Sequence, residues 1–103
     1  MNKRDWRDLR AILVNILGSD NVYYQPPSKE KIHYPAIIFE RDSMGKIDAD
    51  NRMYLQNNRY TITYVDALQT DRVPYALLAL PSCSHDRHFT SDNLHHDVFT
   101  IYF

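Results

Sequence analysis

Glycine is scarce in this chain of 103 residues: only Gly18 and Gly45 are present. A phosphate-cradling P-loop, a dinucleotide-binding turn and a nucleophile elbow each need glycines at fixed offsets, so none of them can be built here. Cysteine is scarcer still. Cys83 alone cannot form an intrachain disulfide, and a reducing compartment is expected. Neither sign of charge is in excess, because thirteen acidic and twelve basic residues leave a formal charge of −1. Binders of nucleic acid or anionic membranes usually show a basic excess, so composition favours neither. No apolar run approaches the length of a membrane span. The opening MNKRDWRDLR is charged throughout, unlike a secretion signal. The expectation is a single domain over residues 1–103, made and folded in a cytoplasm.

Periodicity gives the elements. Trp6, Leu9, Leu13 and Ile16 fall at helical spacing within residues 3–17, with Ile12 and Leu17 widening the stripe, Asn2 as a start cap and Gly18 as the stop. Residues 21–25 predict a short strand halted by Pro26-Pro27. The apolar run Ala36-Ile37-Ile38-Phe39, followed by Glu40-Arg41-Asp42, predicts a central strand whose far end reaches solvent. Residues 43–58 are weakly patterned and read as a long loop. Residues 59–66 alternate Tyr60, Ile62 and Tyr64 against Thr61, Thr63 and Val65, a clear strand. A second helix begins near Asp71, since Pro74 fits only its first turn. Val73, Leu77 and Leu80 are its stripe and Pro81 its end. Residues 82–103 predict a hairpin, with one strand through Arg87, a turn near residues 91–93 and a return strand to Phe103. This order predicts an α+β fold: a two-layer domain with two helices on one face of a mainly antiparallel sheet of about five strands.

The chemistry-bearing residues cluster in the hairpin: His85, Asp86, His88, His95, His96 and Asp97, with Cys83 nearby. Imidazole and carboxylate suit zinc or non-haem iron, but register decides whether they converge. If Thr90 pairs with His95, His88 faces Asp97, with Asp86 and His95 on the same face. If Thr90 pairs with Leu94, Arg87 faces Asp97 and His88 faces His96. The spacing matches no zinc signature. The plainer reading is polar residues on an exposed ribbon, with no metal, cofactor or catalytic residue assigned. Cys83 and His85 share a strand face, yet no third orienting group or oxyanion hole accompanies them. In the long loop, Asp48-Ala49-Asp50-Asn51 lacks the glycine and glutamate of an EF-hand.

Eight tyrosines exceed the needs of a core this size, and half-buried aromatics with a polar tip are common at protein interfaces. The apolar terminal strand would be an aggregation hazard if left as an open edge, so it is either the middle of the sheet or a subunit seam. The candidate subunit or partner interface therefore comprises Asp48, Asp50, Asn51, Arg52, Met53 and Tyr54 of the loop with Phe99, Ile101, Tyr102 and Phe103 of the strand.

Several short blocks have a familiar look. They are Val22-Tyr23-Tyr24-Gln25-Pro26-Pro27, Tyr34-Pro35-Ala36-Ile37-Ile38-Phe39, Ala49-Asp50-Asn51-Arg52-Met53-Tyr54 and Tyr60-Thr61-Ile62-Thr63-Tyr64-Val65-Asp66, followed by residues 89–102. With these blocks the chain resembles, over nearly its whole length, the tail terminator or tail completion proteins of long-tailed phages. The resemblance implies a small α/β domain that assembles as a homo-oligomeric ring, generally a hexamer, in the virion neck. Such a ring caps the tail tube, ends its polymerisation and docks on the head completion complex. It implies no catalytic residue, and DNA only as non-specific passage through the lumen. The alternatives are a head–tail connector, stopper or minor capsid protein of the neck and, in another class, a small metal-dependent enzyme using the hairpin His/Asp cluster.

Overall fold

The computed structural model describes residues 5–26, 32–42 and 58–103. In it the first helix, α1, spans Trp6–Leu17. Its cap is Asp5 rather than Asn2: the Asp5 carboxylate accepts from the N–H of Arg7 and Asp8, and the Asp8 carboxylate accepts from the Asp5 N–H. That reciprocal box satisfies donors that every helix start leaves open. Gly18 ends the helix in the left-handed region (φ 83°), a conformation that favours glycine. The strands are β1 (Val22–Tyr24), β2 (Ala36–Arg41), β3 (Arg59–Asp66), β4 (Cys83–Ser91) and β5 (Leu94–Tyr102), with helix α2 (Arg72–Leu78) between β3 and β4.

The five strands form one sheet in the order β1-β2-β3-β5-β4. All neighbours are antiparallel except β1 and β2, which run parallel. Register puts Ile37, Phe39, Tyr60, Ile62, Phe99 and Ile101 on one face, and these pack with Leu9, Leu13 and Leu17 of α1 and Val73 and Leu77 of α2. Both helices thus lie on the same side of the sheet, as expected from the order of elements. An aromatic chain runs along that side. Trp6 stacks on Tyr24 at 4.5 Å, Tyr24 meets Phe39 at 4.9 Å and Phe39 meets Tyr60 at 6.1 Å. Some of the tyrosines read as surplus are therefore internal; Tyr60 and Tyr64 are both buried.

The C-terminal strand lies in the interior of the sheet, one of the two places its sequence leaves open. β5 is hydrogen-bonded on both sides, to β3 and β4, and Phe99, Ile101 and Phe103 are buried in the monomer's own core. A strand this apolar has its aggregation-prone edges covered by its own sheet, and those three side chains offer no free surface to a partner. Tyr102 points to the other face and is half-buried. The remaining interface candidates, Asp48, Asp50, Asn51, Arg52, Met53 and Tyr54, lie outside the described residues.

Candidate functional site

The hairpin is longer than its composition suggested, because β4 runs on to Ser91. Asp92 (φ 54°) and Asn93 (φ 63°) make the two-residue turn, both in the left-handed region that Asn and Asp tolerate best. Thr90 pairs with His95 and His88 with Asp97, the first of the two registers considered. Between His85 and Arg87 the ladder shifts, so that a bulge at Asp86 changes which side chains share a face. Without it, His85 and His88 would point to opposite sides. With it, both reach one oxygen: His85 Nε2 lies 3.1 Å and His88 Nδ1 2.9 Å from Asp97 Oδ1. Asp86 turns instead to the other face, where its carboxylate accepts from the Thr100 hydroxyl.

The other two imidazoles also bridge the strands. His95 stacks against His88 (ring centroids 5.6 Å apart), and His96 stacks on Phe89 at 4.6 Å. The cluster expected near the terminus thus becomes a set of cross-strand links that hold the exposed strand β4 to β5. Among the described residues, no group of three His, Cys, Asp or Glu side chains is arranged to hold a metal ion. Cys83 is no better suited to nucleophilic chemistry: burial, and then the charge of Asp86, push its thiol up to about 11 and keep it protonated at neutral pH. These pairs are partly exposed, the histidine side chains at 38% and 34% and Asp97 at 17%, so Asp97→Ala should lower stability by about 1–2 kcal/mol. Chemical denaturation reads that cost directly, and a loss several-fold larger would mean the links carry more of the fold than their exposure allows.

The surfaces offer more than the histidines. Both sheet edges are blunted. On one side β1 is short, and the Arg10 guanidinium of α1 donates to the Val22 carbonyl at 3.3 Å. On the other, β4 carries its bulge with Asp86 and Arg87 at mid-strand. Among the described residues, exposed large apolar side chains lie elsewhere, in two places. Leu68, Tyr75 and Leu78 stand out on α2 and the segment before it. Tyr34 and Phe89 line a groove of about 360 Å³ on the helix-free face of the sheet, together with Ile38, Thr63, Leu94 and His96. No helix among the described residues is long and apolar enough to cross a membrane. No protein family, curated protein or solved structure matches the chain.

Proposed function

We propose that the chain is a structural subunit of a phage virion, assembled in the host cytoplasm into a ring in the tail neck. The ring, six-fold by resemblance, caps the tail tube, ends its polymerisation and joins it to the head completion complex, while DNA passes through without sequence recognition. One observation carries the reading beyond the sequence resemblance: two chemically different apolar surfaces on opposite sides of one sheet. One is the α2 side with Leu68, Tyr75 and Leu78, and the other is the groove between Tyr34 and Phe89. A closed ring is built from heterologous contacts, which need two different patches on each subunit. The blunted edges favour contact through these faces over addition of strands.

Adding the purified chain to polymerising tail-tube protein is expected to shorten the tubes and to place the chain at one tube end. Tubes of unchanged length with bare ends would overturn the reading. A neck connector or stopper would bind head-side components and leave tube length alone. The remaining alternative is a metal-dependent enzyme; His85 and His88 do meet on Asp97, but no group among the described residues has the arrangement that holds a metal ion. Stoichiometric zinc or iron in the purified protein would support that alternative against the assembly role.

A further inference from the structure

The groove on the helix-free face has a charge pattern that the assembly reading does not use. Ile38 of β2 and Leu94 of β5 give it an apolar lining, and the partly exposed rings of Tyr34 and Phe89 lie at opposite sides across the strand order. Glu40 and Asp92 also line it, and both are exposed. Among the described residues, the cations near this face are occupied: Arg59 is paired with Asp42 at 2.7 Å, and Arg87 lies over the Phe89 ring at 5.6 Å, next in sequence to Asp86. Among the described residues, neither the Glu40 nor the Asp92 carboxylate has a hydrogen-bond or ion-pair partner.

Register gives the spacing of the two carboxylates. Glu40 sits level with Thr61, whereas Asp92 lies in the turn beyond Leu94, past the level where Asp66 pairs with His95. At the rise of an extended strand, that separation along the sheet is about 20 Å. One basic side chain cannot reach both.

The geometry points to a docking groove for an extended segment of a partner protein that carries Lys or Arg at two positions about six residues apart, with apolar side chains between them. Charge complementarity selects the ends of this segment, since the groove holds two carboxylates with no partner among the described residues. The apolar lining and the two aromatic rings select its middle, with the rings placed to cover aliphatic stems. The same groove is one of the two patches assigned to the ring, so the segment would bind the free subunit and compete there with a neighbouring copy; binding to the monomer tests it without the ring.

Nuclear magnetic resonance of the full chain, titrated with the acetylated, amidated peptide Lys-Thr-Val-Thr-Leu-Thr-Lys, in which both lysines and both apolar side chains share one face of an extended chain, tests it. Shifts are expected on Ile38, Thr63 and Leu94. Affinity should drop at least tenfold both for the double variant Glu40→Gln with Asp92→Asn and for a peptide with glutamine at each end. Both substitutions are at exposed positions, and an unchanged spectrum of the free variant confirms that it is folded. Equal binding of the glutamine-ended peptide, shifts centred on α2, or no shifts at millimolar peptide would each overturn the proposal.

Discussion

Phe99→Ala is expected to destabilise the monomer by about 3–5 kcal/mol. Phe99 is fully buried in β5, paired with Ile62 on one side and His85 on the other, and shares the core of both helices. Removing the ring leaves a cavity in the middle of the sheet, where neighbouring strands cannot collapse to fill it. A domain of this size commonly has a total stability of about 5–15 kcal/mol, so a large share is at stake. Urea denaturation of the variant measures the loss. A seam residue would behave differently: its truncation would leave monomer stability unchanged and weaken only self-association.

The second large effect is expected at Asp66. It is buried at the end of β3, and its carboxylate accepts from the Tyr64 hydroxyl at 2.8 Å, the Leu68 N–H at 2.8 Å and the Thr70 N–H at 3.1 Å. These bonds fold the connection from β3 into α2, whose own cap residue, Asp71, makes no side-chain cap bond. Asp66→Ala strands a buried hydroxyl and two backbone donors, which should cost about 3 kcal/mol. Burial alone would raise the Asp66 pKa, but the bonds from Leu68, Tyr64 and Thr70 outweigh it and hold the group below the ordinary carboxylate value. The native state therefore binds this proton less readily than the unfolded chain does. The contribution of Asp66 is present above the unfolded carboxylate pKa, about 4, and fades as pH falls through the lower native one. Wild-type stability should fall in that acid range, and the Asp66→Ala variant should show a smaller fall. Parallel pH curves for the two proteins would remove Asp66 from the account.

Elements with a strong local pattern were legible without coordinates. The alternation of residues 59–66 matches β3, the stripe of Leu9, Leu13 and Leu17 matches the buried face of α1, and Asp92-Asn93 marks the hairpin turn. Non-local pairing was not legible. Nothing between β1 and β2 announces a parallel pair, because no helix forms the usual crossover among the described residues. The terminal strand reads equally well as an edge or a centre, and only its pairing with both β3 and β4 decides it. The bulge at Asp86 has no glycine to betray it, so the convergence of His85 and His88 on Asp97 could not be foreseen. Asp66 does carry a local signal: an aspartate closing a strand commonly accepts from the backbone N–H two residues on, here that of Leu68. The groove draws residues from four strands and has no signature in the sequence at all.

The assembly claim is tested most directly by the mass of the purified protein in sedimentation velocity, over a wide concentration range and with tail-tube protein present. The account predicts a discrete species of about six times the 12.2 kDa chain, alone or seated on tube ends. A 12.2 kDa monomer at every concentration, with no association with the tube, would contradict it.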